Sequence, residues 1–140
     1  MTKGFFTTPQ DAEAAFYEAL EQADLEAMML AWSDDEEIVC IHPGGPRLAG
    51  YAVVREAWRR IFGNGARLRV QLTTLSTVAN PFTAIHSVIE FVSTKDDPSQ
   101  QAPVVATNVY VRGATGWRMV LHHASPAPPD SVIETAKVLH

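Results

Sequence analysis

Apolar residues recur at three- and four-residue steps through roughly the first sixty positions and at two-residue steps afterwards, so the pattern predicts helices followed by strands. Thr8-Pro9-Gln10-Asp11 opens the first helix: Thr8 caps, Pro9 occupies the first turn, and Asp11 suits the positive end. Ala12, Ala15, Phe16, Ala19, Leu20 and Ala23 then form one apolar face. Asp24 caps a second, shorter helix carrying Leu25, Met28, Met29 and Trp32, ended by Ser33-Asp34-Asp35. Ile38 to His42 is a short strand closed by Pro43-Gly44-Gly45-Pro46. Leu48-Ala49-Gly50 opens a third helix, Tyr51 to Phe62, which buries Val54, Ala57, Trp58 and Ile61 and stops at Gly63 and Gly65.

Residues 67–79, 82–95, 103–112 and 116–125 are rich in Val, Ile, Thr and aromatics. Asn80-Pro81, a loop over 95–102 and Gly113-Ala114-Thr115-Gly116 separate them, and such short connections imply antiparallel hairpins in a meander. Helices first and strands afterwards indicate an α+β fold, three N-terminal helices packed on one face of a curved antiparallel sheet. Alternation in the last strand groups Trp117, Met119, Leu121, His123 and Ser125, the more apolar set and therefore the expected inward one. The chain reads as a single domain over 1–140 with its core over 9–126. In the proline-rich tail, Ser131 to Glu134 resembles a capping box before a short amphipathic piece ending near Leu139, either laid over the sheet or a partner subunit, or frayed.

Composition narrows the class. At 140 residues with 46% hydrophobic and 19% charged positions, the chain suits an ordinary globule that needs no staples. A net charge of −5 argues against nucleic acid as a partner. Arg55, Arg59, Arg60, Arg67 and Arg69 read as a solvated helix face and strand edge, with Glu56 placed to pair with Arg59 or Arg60. No apolar run approaches the roughly 18 residues a membrane span needs. The opening residues lack the apolar stretch of a secretory signal, and a single cysteine fits a reducing compartment, so a cytoplasmic setting is expected.

Candidate chemistry centres on imidazoles. His42 ends a strand, a rigid mount for a general base or acid that titrates near neutrality; its plain alternative is a hydrogen bond ordering the Pro-Gly-Gly-Pro turn. His123 and Ser125 would stand at the end of an apolar wall, although no acid is placed to complete a nucleophilic triad. His86 and Glu90 share a strand face, read first as the wet or subunit-facing side of the sheet and alternatively as an acid–base pair. Asn108 and Tyr110, if inward, could hold a ligand oxygen. Trp32, Trp58 and Phe62 can wall a cavity or simply fill the core. Cys40 reads as a small buried hydrophobe. A metal would need His42, His86, Glu90 and His123 to converge without any local ligand motif, and none is expected. No glycine-rich phosphate loop is present, so no cofactor is expected.

The pieces Ala23-Asp24-Leu25, Trp32-Ser33-Asp34-Asp35, Ile41-His42-Pro43-Gly44, Gly50 with Trp58 and Phe62, and Gly116-Trp117 through His123-Ala124-Ser125 together resemble the nuclear transport factor 2-like superfamily. The similarity covers about residues 9–126 and is closest to its SnoaL-like and ketosteroid-isomerase-like branch. The resemblance implies a cone-shaped, cystatin-like roll with an internal pocket. Ketosteroid isomerases use an Asp base after the first strand, a first-helix Tyr and a late-strand protonated Asp. Those positions fall here near Cys40 or His42, on or beside Phe16 with Tyr17 adjacent, and near Asn108. The carboxylate pair is therefore missing, and steroid isomerisation is not expected. The resemblance leaves two readings. One is a pocket for a small hydrophobic, carbonyl-bearing ligand with His42 and His123 as polar groups, and with cofactor-free isomerase or dehydratase chemistry if catalytic. The other is a non-catalytic association module, like the calmodulin-dependent-kinase association domain. A homodimer whose subunits keep such a pocket is the expected state.

Overall fold

A computed structural model describes residues 5–127, apart from the side chain of Gln100; the tail reading over 128–140 lies outside the described residues. The helices are α1 (Pro9–Gln22), α2 (Leu25–Ala31) and α3 (Tyr51–Gly63). The strands are β1 (Val39–Ile41), β2 (Leu48–Ala49), β3 (Leu68–Ala79), β4 (Thr83–Thr94), β5 (Asp97–Gly113) and β6 (Gly116–Pro126). Thr8 accepts a hydrogen bond from the Asp11 N–H and Asp24 accepts one from the Ala27 N–H, each cap satisfying a donor that the first helical turn leaves free. Glu56 pairs with both Arg59 and Arg60 on the exposed side of α3.

The six strands form one sheet in the order β2-β1-β6-β5-β4-β3. The α+β cone expected from the sequence is present, with two corrections. The sheet is mixed: β1 runs parallel to β6, pairing Cys40 with His122, because α3 rather than a hairpin joins β1 to the meander and so leaves its direction free. The loop expected over 95–102 is instead a tight turn. Thr94 accepts from the Asp97 N–H, and β5 is already paired to β4 at Asp97. Leu48 and Ala49 also form a short strand against β1 before the helix.

Phe16, Met28, Trp32, Ile38 and Met119 have no exposed surface and build the core where α1 and α2 cross the sheet. On β4 and β5 the residues facing them are Ala84, His86, Val88 and Glu90 and, opposite, Tyr110, Asn108, Ala106 and Val104, all buried. The surface reading of His86 and Glu90 is therefore overturned. Their strand lies one place in from the edge strand β3, and α1 covers this face. One irregularity sets the inward face of β6. Val109 pairs with Leu121 and Tyr110 with Met119, so Val120 is an extra residue on that strand. A bulge of one residue reverses which side chains point inward beyond it. Trp117 and Met119 are buried before the bulge, His122 and Ala124 after it.

Candidate functional site

Two polar pairs lace α1 to β4. Glu13 and Tyr17 lie one helical turn apart; His86 and Glu90 lie four residues apart on one strand face, so both pairs bridge the same interface. Glu13 Oε2 is 2.8 Å from His86 Nδ1. The Tyr17 hydroxyl donates to Glu90 Oε2 at 2.6 Å. Only the second pair continues. Asn108 Nδ2 donates to the Tyr17 oxygen at 2.8 Å, and Asn108 Oδ1 lies 2.6 Å from His122 Nδ1. The result is an unbroken run of side chains, Glu90–Tyr17–Asn108–His122, inside the protein.

That run opens on a cavity of about 250 Å3 between α1, α3 and the sheet. Leu20, Ile61, Val70 and Val104 make apolar walls; His42, Trp58, Glu90 and His122 also line it. The His42 ring meets Trp58 edge-on at 4.7 Å and lies 6.5 Å from the His122 ring, centroid to centroid. Its Nε2 is 3.6 Å from Cys40 Sγ. His42 and Ile61 also line a more open groove of about 550 Å3 beside α3, so they form the partition between cavity and groove.

Burial governs the electrostatics. It lowers the His42 pKa, and it lowers that of His122 to about 3, with the neighbouring imidazoles His42 and His123 acting in the same direction, so His122 is neutral at ordinary pH. Burial raises Glu90 above the usual carboxylate range against the lowering effect of the Tyr17 hydrogen bond. Tyr17 is raised by burial and then by the Glu90 charge, and keeps its proton. The Cys40 thiol is pushed up to about 12 by burial, so it is no nucleophile, in keeping with a small buried hydrophobe.

The sequence-predicted residues divide. His42 and Trp58 line the cavity. Asn108 is buried one residue behind it, as the link between Tyr17 and His122. Trp32 is wholly inside the core, pairing its backbone with Met119, and Phe62 stacks on Trp58 from a separate small crevice. Tyr110 lies beside His86, 5.0 Å between rings, away from the cavity; its hydroxyl and His86 Nε2 are buried without hydrogen-bond partners. His123 and Ser125 are exposed on the other face, the opposite of their expected position, because the Val120 bulge shifts the phase. Sequence reasoning missed His122. A signal was available: in a His-His doublet on a strand, one imidazole faces inward whichever register holds. Among the described residues no group of three or more His, Cys, Asp or Glu is placed to hold a metal, and no helix is long and apolar enough to cross a membrane.

A three-helix cone closed by a curved sheet, with a small cavity inside, defines the class of protein. The family model for the SnoaL-like domain matches residues 10–129, and the chain belongs to that family, within the nuclear transport factor 2-like superfamily. A crystal structure of a provisionally named calcium/calmodulin-dependent protein kinase type II association domain from Thiobacillus denitrificans is 44% identical, with a TM-score of 0.82, covering 88% of this chain and 98% of that one. A provisionally named dehydratase of the NTF2-like family from Streptomyces avermitilis is 32% identical, with a TM-score of 0.75, over 84% of this chain and 91% of that one. The F-box protein SKIP8 of Arabidopsis thaliana is 27% identical over 111 residues, 79% of this chain; the match spans 46% of that relative's length.

Proposed function

We propose that the cavity binds a small, mostly apolar molecule and that His42 and His122 move a proton on it, in a cofactor-free dehydration or isomerisation. The observation that carries this reading is two neutral-leaning imidazoles facing one apolar cavity beside a carboxyl group. In a dehydration, one base takes the proton from the carbon beside a carbonyl, the carbon–oxygen bond to a hydroxyl breaks, and the hydroxyl leaves with a proton as water. His42 suits the exchange with solvent, since it borders both cavity and groove. The relative named as a dehydratase makes this reaction class the first to test. A thermal-shift panel of small hydroxyl- and carbonyl-bearing hydrocarbons should raise the melting temperature, because a ligand of the folded state stabilises it. Val104→Phe, which fills the cavity, should abolish the rise. No shift across the panel ends this reading.

A second reading, association, has its own observation. Val78 pairs with Ile85 across β3 and β4, and both are exposed, as are Phe82 and Val111. An apolar patch on the sheet face away from the helices favours a homodimer. Sedimentation at several dilutions tests it: the wild-type chain should be dimeric and Ile85→Glu monomeric, and a wild-type monomer at all dilutions refutes it.

A further inference from the structure

We propose that the cavity selects molecules bearing a hydrogen-bond-donating hydroxyl, which they present to a bare Nε2 of His122. This deepens, and rests on, the reading of the cavity as a small-molecule site. With no hydrogen on Glu90 Oε2, the direction of every hydrogen bond behind the cavity is set by its chemistry. A tyrosine hydroxyl has one hydrogen, and that of Tyr17 is committed to Glu90 Oε2. Its oxygen is then free to accept, and it accepts from Asn108 Nδ2. The other end of that amide, Oδ1, has no hydrogen to offer, so the hydrogen in its 2.6 Å contact with His122 belongs to His122 Nδ1. A neutral imidazole has a single N–H. His122 Nε2 therefore bears a lone pair.

His122 is 3% exposed and borders the cavity, so the lone pair has little competition from bulk water. Glu90, the far end of the run, borders the same cavity and accepts hydrogen bonds when ionised. Trp58 lines the cavity too, but its indole nitrogen is itself buried and has no partner. An alcohol, phenol or enol can give its hydrogen to His122. A ketone, aldehyde or ether oxygen meets it lone pair to lone pair. In a hydroxy-carbonyl compound the hydroxyl, not the carbonyl, therefore lies at His122.

The relay has one direction because it ends on a carboxyl oxygen that accepts from Tyr17. Tyr17 and Asn108 are positioning residues in this scheme: they touch no ligand and act by holding the tautomer of His122.

The wild-type chain suffices for the test, with two readouts. Nitrogen NMR of histidine-labelled protein at pH 7, with His122 assigned through its backbone, should show Nδ1 protonated and Nε2 unprotonated. Calorimetric titration then uses 2-naphthol, 2-methoxynaphthalene and naphthalene, two fused rings being a fair fill for about 250 Å3 when about 150 Å3 holds benzene. The naphthol should bind about tenfold more tightly than either analogue, the size of one buried hydrogen bond. A proton on His122 Nε2, or equal affinity for all three, overturns the selection and leaves the cavity reading intact. Binding of none of them overturns both.

Discussion

The two polar clusters between α1 and β4 use the same kind of parts at the same spacing and differ in where they end. Glu13–His86 runs toward Tyr110 and stops inside packed side chains, with His86 Nε2 and the Tyr110 hydroxyl unpartnered. Tyr17–Glu90 continues through Asn108 to His122 and meets a cavity. A buried histidine beside a carboxylate is thus not a site by residue type alone. A site needs the run of hydrogen bonds to finish at space a ligand can enter.

The sharpest way to break the comparison is to cut each run. Asn108→Leu removes both the donor to Tyr17 and the acceptor for His122, stranding a buried imidazole N–H; we expect a loss of about 2–4 kcal/mol in urea denaturation. Glu13→Gln keeps an acceptor for His86 in a partly exposed side chain and should cost about 1 kcal/mol or less. Equal losses would mean that the clusters are energetically alike.

Protonation sharpens the contrast. Glu90 has a raised pKa in the fold, so between about 4.5 and that raised value the unfolded chain ionises while the folded one keeps its proton. Stability contributed at this position is therefore full at low pH and is lost as pH rises through that window. Glu90→Gln, which still accepts from Tyr17, should be neutral at pH 4 and stabilising at pH 8 in urea denaturation. His122 works in the opposite direction. Its pKa falls from 6.5 to about 3, so its contribution is present above 6.5 and is lost as pH falls toward 3. His122→Phe should flatten the acid limb of the stability profile; an unchanged limb would remove His122 as its source.

Ligand affinity separates the clusters again, with smaller numbers. His122→Phe should remove the roughly tenfold preference for a naphthol over its methyl ether, whereas His86→Phe should move the naphthol Kd by less than about twofold. A comparable loss from both variants would show that His86 is coupled to the cavity.

Much of the cone was legible because it is written in local chemistry. Thr8-Pro9 and Asp24 mark helix starts, Gly113 to Gly116 marks a hairpin, and the change of period near residue 67 separates helices from sheet. His42 and Trp58 were found because strand-end and helix-face positions derive from those elements. What escaped depends on tertiary pairing. A one-residue bulge leaves no mark in hydrophobic alternation, so the inward set of the last strand was correct at Trp117 and Met119 and reversed from Leu121 onward. The parallel pairing of β1 was hidden for the same reason: direction depends on how a distant strand returns, not on the residues of Val39–Ile41. Tyr17 sits beside the position that the family resemblance indicated, and only the geometry shows its hydroxyl turned to Glu90 rather than to the cavity.

The smallest expected effect is the most direct check on that bulge. His123 pairs with Thr107 across β5 and β6, is exposed, and lies one residue from an imidazole that is buried. If Val120 is the extra residue, His123→Ala removes a solvated ring from the outer face and leaves the cavity untouched. Denaturation should then change by no more than about 0.5 kcal/mol, and naphthol affinity should stay as it is. Without the bulge the phase reverses: His123 would point inward and His122 outward, and the same substitution would remove the cavity's imidazole and most of the hydroxyl preference with it. The two histidines are adjacent in the chain and carry the same ring, so exchanging the effects of His122→Phe and His123→Ala would place the error at Val120 and nowhere else in the strand.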